Sequence, residues 1–254
     1  MIPELDDGVS RICATYLALA DRHAPGLVEG LYLQGSVALG DYRPGVSDID
    51  FVAVTGRQPP AGTVGAIHAD LRRSHRRTSF DGLYVGWDDL RRDPAQAAPG
   101  PAVHEWRVQP ASRFERNLVT WHVLAQAGVA VRGPAAATLG VFTDWPALAE
   151  ATRRNLVEYW TPWLRGPASG VVGLTPWATA WGALGVVRLR QTLAAGRVTS
   201  KTAAVAYALD TYDRRWHRLV NEAARLRLGG ARRYRNPWRR RADLIGFLTE
   251  VLRG

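Results

Sequence analysis

Residues 35–50 read Gly-Ser-Val-Ala-Leu-Gly-Asp-Tyr-Arg-Pro-Gly-Val-Ser-Asp-Ile-Asp and run directly into Phe51-Val52-Ala53-Val54. Two carboxylates, Asp48 and Asp50, thus stand two residues apart at the head of a strand, where residues i and i+2 share one face. The strand that follows is nearly all apolar and hence buried. A Gly-Ser turn lies just upstream. Two acids on one face, beside a turn rich in backbone N–H groups, can hold Mg²⁺ against phosphate oxygens.

Strand and helix signals surround this motif. Val9, Ile12, Cys13 and Tyr16 have helical spacing and predict an opening helix over residues 5–20. Residues 31–34 predict a short strand leading into Gly35 and Ser36. Residues 62–74 predict a helix with Val64, Ile67 and Leu71 on one face, and residues 81–85 a third strand. The Pro-, Ala- and Gly-rich stretch 91–103 reads as a loop, residues 115–127 as a helix and residues 129–131 as a short strand.

After Asp144-Trp145-Pro146 the pattern becomes helical almost throughout. Residues 147–160 predict one helix. Thr175 and Pro176 read as an N-cap and first turn, opening a helix that carries Trp177, Trp181, Leu184 and Arg188 on one face and ends near Gly196. Thr199 or Ser200 caps the next. Trp216, Leu219, Val220 and Ala223 mark another, stopped by Gly229 and Gly230. Leu244, Phe247, Leu248 and Val251 mark the last. The expected architecture is an α/β domain over residues 1–145, a mixed sheet flanked by helices, followed by an all-α bundle over residues 146–254.

Composition narrows the function classes. Cys13 is the only cysteine, so there is no disulfide framework and no cysteine metal site. The acidic N-terminal residues lack the apolar core of a signal peptide, so the expected location is cytoplasmic. Residues 166–187 carry no charge but contain Pro167, Pro176 and several glycines, which fits a buried helix better than a membrane span. The net charge is +10, and every basic residue but Lys201 is arginine. Such a balance suits anionic partners such as nucleotides or nucleic acid. Residues 232–241 interleave arginines with Tyr234 and Trp238, a pattern able to grip nucleic acid, although the simpler reading is a solvated interhelix loop. No Walker loop, dinucleotide fingerprint, His-Glu-x-x-His or Gly-x-Ser-x-Gly motif is present.

Within the motif, Gly35 lets the backbone approach a triphosphate closely, and the Ser36 hydroxyl with nearby N–H groups can bind its oxygens. A third carboxylate is needed as metal ligand or as base for an acceptor hydroxyl. Asp81, at the start of the third strand, is the candidate, with a turn Asp before Gly82 as its structural alternative. Lys201 draws notice as the sole lysine, because a point-charge ammonium suits phosphate where a planar fork does not fit.

The pattern Gly-Ser, a turn, then Ser-Asp-x-Asp resembles the nucleotidyltransferase superfamily, which has the fold of DNA polymerase beta. From about residue 30 to the end, the chain is similar to the aminoglycoside 3''-adenylyltransferase family, which has a helical second domain. This resemblance implies an Mg²⁺-dependent enzyme that moves AMP from ATP to a hydroxyl of a small molecule, with an aminocyclitol antibiotic of the spectinomycin or streptomycin type as acceptor and antibiotic resistance as outcome. It implies Asp48, Asp50 and Asp81 as catalytic and metal residues, with Gly35, Ser36, Ser47, Arg188 and Lys201 around ATP. It implies Trp106 on the acceptor side, whereas Trp160, Trp163, Trp177 and Trp181, read from the residues themselves, suggest an aromatic cleft wall, with core packing as the simpler reading of tryptophans at helical spacing. The helical domain would complete the ATP and acceptor sites of a monomer. Two departures stand out: Asp81 replaces the family's Glu, and residues 174–178 carry none of the acids that compensate a cationic antibiotic. Transfer to protein or RNA, and an ATP sensor with reduced catalysis, are the alternatives.

Overall fold

Strict alternation along two adjacent strands decides how the first half of the chain is layered. The computed structural model describes residues 5–254 and divides into two units, the first ending at Asp144 and the second spanning Trp145–Gly254. The first unit runs α1 (Asp7–His23), β1 (Val28–Leu33), α2 (Gly35–Ala38), β2 (Ile49–Thr55), α3 (Ala61–Ser74), β3 (Phe80–Val85), α4 (Trp87–Leu90), β4 (Gly100–His104), β5 (Arg107–Ser112), α5 (Leu118–Ala127) and β6 (Val129–Arg132). The strands form one mixed sheet in the order β5-β4-β3-β2-β1-β6. Only β2 and β3 run parallel; the other neighbours are antiparallel.

Leu31, Leu33, Phe51 and Ala53 point to one face and pack with Val9, Ile12 and Tyr16 of α1 and Val64, Ile67 and Leu71 of α3. Tyr32, Val52, Val54, Leu83 and Val85 point to the other and pack with Trp121 and Leu124 of α5. Both faces are thus covered by helices, as a parallel strand pair requires. Asp6 caps α1 through Oδ1, which accepts from the Gly8 N–H at 2.8 Å. Inside the first core, Phe51 stacks on Phe80 at 4.5 Å and on His68 at 5.7 Å. The Tyr16 hydroxyl donates to Tyr84 Oη at 2.9 Å, and His68 Nε2 lies 3.0 Å from the same oxygen.

The stretch expected as a loop over 91–103 ends in β4, and its partner β5 has no counterpart in the sequence reading. The reason is local. His104 pairs with Arg107 across a two-residue turn, and Glu105 and Trp106 at its centre have φ of 48° and 64°. Such a turn normally announces itself by Asn-Gly or Asp-Gly, because L side chains resist positive φ. Pro110 also lies within β5, a position tolerated on an edge strand.

In the second unit α6 (Trp145–Asn155) passes into π-helical turns at Leu156–Trp160, then α7 (Thr161–Trp163), and π turns again at Leu164–Ala168. The helix expected over 147–160 therefore does not stay regular. Pro162 and Pro167 lack the N–H groups that would bond the carbonyls one turn back, so the ladder is interrupted twice. There follow α8 (Pro176–Ala195), α9 (Lys201–Thr211), α10 (His217–Leu228) and α11 (Pro237–Arg253). Thr175 caps α8, its hydroxyl accepting from the Ala178 N–H at 3.1 Å, and Gly196 ends it at φ 66°. Buried Trp160, Trp163, Leu184, Val187, Leu219, Phe247 and Leu248 build the core. A Cβ on Gly182 would lie 2.9 Å from the Trp163 ring, and one on Gly185 2.7 Å from Trp160, so these glycines admit the indoles against α8. Asn236 caps α11, so Pro237 to Arg241 form its first turns and are not loop. Among the described residues no helix is long and apolar enough to cross a membrane.

Candidate active site

Parallel pairing of β2 and β3 sets Asp50 opposite Asp81, Val52 opposite Leu83 and Val54 opposite Val85. The period of two then fixes both acids on the α5 face, one turn of the pleat beyond the apolar residues. Asp48 precedes β2 and is exposed, Asp50 is half-buried, and Asp81 is 5% exposed. The chain leaves β1 at Gln34, whose N–H donates to the Asp50 carbonyl at 2.9 Å, and turns at Gly35. Gly35 meets two demands at once. Its φ is +59°, and a Cβ there would lie 2.0 Å from Asp50 Oδ2, so the Asp50 carboxylate rests directly against bare backbone. Ser36 follows in α2 and its hydroxyl donates to the Asp48 carbonyl at 3.4 Å. The Ser47 hydroxyl accepts from the Arg43 N–H at 3.1 Å, so it shapes the turn over 43–47.

Asp81 is not a turn residue: Gly82 continues inside β3, and the carboxylate is held from three sides. Oδ1 accepts from the Glu105 N–H at 3.1 Å and from the Ser79 hydroxyl at 3.2 Å; Oδ2 lies 3.3 Å from His104 Nδ1. The strained Glu105–Trp106 turn is what aims that N–H at the acid, a case of backbone strain gathered where function is expected. His104 in turn rests on Phe114, ring centroids 4.7 Å apart. Glu115, also at positive φ (62°), accepts from the Gln34 side-chain amide and from Thr120. Burial raises the Asp81 pKa, with the Asp48 charge acting the same way against the bonds from Glu105, His104 and Ser79. Burial likewise raises Glu115, to which the Asp81 charge adds. Asp81 and Glu115 thus disfavour their own ionisation, a situation that a bound cation or a transferred proton relieves.

The donor set fits a divalent cation of the Mg²⁺ type. Asp48 and Asp50 supply hard oxygens beside an open backbone turn, whereas among the described residues no three His, Cys, Asp or Glu side chains form a closed metal cage. Mg²⁺ in phosphoryl-transfer sites commonly takes one or two carboxylates and completes its shell with substrate phosphates and water.

Of the other expected residues, Trp106 is half-buried and packs partly against the core under α1 and α3. In the second unit Trp177, 57% exposed, stacks on Trp181 at 5.7 Å and 10°, and Trp181 meets Trp160 at 5.8 Å. The Lys201 Nζ sits 5.6 Å from the centroid of the Trp181 ring. The Thr199 hydroxyl donates to the Arg188 carbonyl at 3.5 Å, bringing the start of α9 beside α8. Trp177, Trp181, Arg188 and Lys201 are therefore one neighbourhood. Gln34, His104 and Glu115 carry no motif signal in the sequence; His104 belongs to the β4–β5 hairpin, and the helix expected from residue 115 begins only at Leu118, which leaves Glu115 in the turn before it.

Residues 17–85, from within α1 to the end of β3, match the family model described as a nucleotidyltransferase domain. That span holds Gly35, Asp48, Asp50 and Asp81. No curated protein matches the chain. Among solved structures, the spectinomycin adenyltransferase AAD(9) from Enterococcus faecialis, crystallised with ATP and spectinomycin, is similar with a TM-score of 0.71 at 12% sequence identity, covering 96% of this chain and 99% of that one. The resemblance read from the motif is borne out for the nucleotidyltransferase domain and for the fold, a mixed α/β sheet followed by helices.

Proposed function

We propose that this enzyme, which carries a nucleotidyltransferase domain, transfers AMP from ATP to a hydroxyl group of a small molecule, with an aminocyclitol of the spectinomycin type as acceptor. One observation carries the reading: the Asp50 carboxylate lies against the bare backbone of Gly35 while Asp81 stands beside it across the β2/β3 pair. That is a carboxylate pair facing a turn able to take phosphate. The solved structure that is similar over nearly the whole chain was crystallised with ATP and spectinomycin, which supports the choice of both substrates.

In this reading Gly35 and Ser36 bind the triphosphate, and Arg188 and Lys201 of the helical unit supply cationic contacts to the same nucleotide. Asp48 and Asp50 would hold Mg²⁺, whose charge when bound offsets that of the phosphates and of the departing pyrophosphate. Asp81 takes the proton of the acceptor hydroxyl as its oxygen attacks the α-phosphate. Its raised pKa suits a base, and the Glu105 N–H and His104 keep the carboxylate oriented. Trp177 and Trp181 offer flat apolar faces to a ring-shaped acceptor. The absence of acids over residues 174–178 favours spectinomycin over the more cationic streptomycin.

The test is pyrophosphate release from ATP and Mg²⁺ with each of a panel of aminocyclitols, sugars, RNA and protein acceptors. Release only with a small hydroxyl acceptor supports the reading, whereas label on RNA or protein, or nucleotide binding without turnover, rejects it. Asp50→Asn is expected to lower turnover at least about 100-fold, the scale on which charge-stabilising groups act; a wild-type rate would reject the metal-site assignment.

A further inference from the structure

We propose that the helical unit carries a second binding surface, an arginine platform around Trp238 that takes a single-stranded nucleic acid. The segment 232–241 holds six arginines, and the structure fixes it firmly. Tyr234 is buried, its hydroxyl donating to Asp243 Oδ2 at 2.6 Å. The Arg218 guanidinium lies 4.2 Å from the centroid of the Tyr234 ring and donates to the Arg233 carbonyl at 3.0 and 2.7 Å. Glu222 is fully buried and accepts from Arg225 at 2.9 and 2.8 Å and from the Arg233 N–H at 2.8 Å. Glu222 is ion-paired with Arg225 and Asp243 accepts from the Tyr234 hydroxyl, so these two acids stand against the six arginines of the segment.

What remains outside is a set of cations with one aromatic plate. Arg232, Arg233, Arg235 and Arg239 are exposed. Trp238 is 58% exposed at the start of α11, with the Arg241 guanidinium 4.8 Å from the centroid of its ring. Arg241 itself is tied to the carbonyls of Ser169 and Gly170 at 3.2 and 3.3 Å, so the indole rests on an anchored cation. An exposed tryptophan adds little to folding, but a flat ring among fixed guanidinium groups matches what a single strand offers: an accessible base face with phosphates on either side. A duplex hides its base faces and would use only the charge. The ordered backbone means that little loop entropy opposes binding.

The experiment is fluorescence anisotropy of labelled 20-nucleotide oligouridine and oligothymidine titrated with the full chain, in salt from about 50 to 200 mM. The expected result is binding that weakens with salt, with a logarithmic slope near −3, as for about four phosphates at ~0.7 each. Trp238→Ala is expected to weaken binding about tenfold, the scale of one lost stacking contact. The triple variant R232A/R235A/R239A is expected to flatten the salt slope. Both variants should keep the wild-type circular dichroism and melting temperature, since the altered side chains are exposed. Several results would overturn the proposal: no binding of either strand at the lowest salt, equal affinity for Trp238→Ala, tighter binding of a duplex of the same length, or capture by phosphatidylserine vesicles alone.

Discussion

Asp81 and His68 are both buried and titratable, and they pull stability in opposite directions with pH. Burial raises the Asp81 pKa. Its contribution to stability is therefore full below the unfolded carboxylate value and is lost as pH rises through the folded one. At pH 7 the ionised acid burdens the fold. Asp81→Asn keeps an oxygen to accept from the Glu105 N–H and removes the charge. It is expected to raise the melting temperature at pH 7 while lowering turnover by about 10²–10⁴-fold, the usual contribution of a general base. A variant that lost both stability and activity would mark Asp81 as merely structural. His68 behaves oppositely, because burial against Phe51 and Phe80 pushes its pKa down to about 3. Below the unfolded value of about 6.5 the unfolded chain takes a proton that the native one refuses. Stability is thus present above pH 6.5 and lost as pH falls toward 3, by about 3 kcal/mol at pH 4. His68→Phe preserves the ring stack and abolishes the proton site, and Tyr84 keeps its bond from Tyr16. Calorimetry at pH 7 and pH 4 should show a flatter acid limb for this variant, and an unchanged limb would refute the assignment.

Glycines separate the two kinds of helix in this chain. In α3 a Cβ on Gly65 would meet nothing within 4 Å, whereas in α8 one on Gly185 would meet the Trp160 ring at 2.7 Å. Gly65→Ala is therefore expected to stabilise by about 1 kcal/mol through helix propensity alone. Gly185→Ala should destabilise by about 1–3 kcal/mol, because overpacking exceeds the same propensity gain. Thermal melts of the two variants should move in opposite directions. The contrast also shows what was legible in the sequence. Helices with a clear apolar stripe or a capping residue, such as α1, α3, α8 and α11, could be read from period and cap. So could β2, whose apolar run follows the acids, although the strand begins at Ile49 and leaves Asp48 just before it. The hairpin β4–β5 could not, because Glu105 and Trp106 adopt a turn conformation against their own preference. With it went His104 and the N–H that holds Asp81. The tryptophans could be placed on helices, but not divided into buried Trp160 and Trp163 and open Trp177. That division depends on the glycine face of α8 and on π turns imposed by Pro162 and Pro167. Arg240 shows the same limit: it reads as one more arginine in a basic run, yet it is buried and donates to the Leu174 carbonyl.

The two units have separate cores, so which of them a nucleotide stabilises can be measured without knowing the acceptor. Any ligand that binds the native state stabilises by mass action, about 2.7 kcal/mol at a hundredfold excess over its Kd. A nucleotide bound by the α/β unit alone would stabilise that unit alone. One bound also through Arg188 and Lys201 must stabilise the helical unit as well. The net charge of +10 draws ATP to the whole surface, so non-specific attraction has to be separated from this effect. Attraction of that kind fades with salt over a Debye length of about 8 Å at physiological ionic strength, while a contact to phosphate persists. In calorimetry at about 0.15 M salt, saturating ATP with Mg²⁺ is expected to raise the unfolding temperature of the helical unit as well as that of the α/β unit. Lys201→Ala is expected to weaken ATP binding about tenfold, which removes about 1.4 kcal/mol of that stabilisation at a fixed ATP concentration. Because Lys201 opens α9 behind the Ser200 cap, whose hydroxyl accepts from the Ala203 N–H at 3.1 Å, the substitution leaves the helix start intact. Titrations of variant and wild type that superimpose would confine the nucleotide to the Gly35–Ser36 turn and its acids, and would leave the helical unit to the acceptor alone.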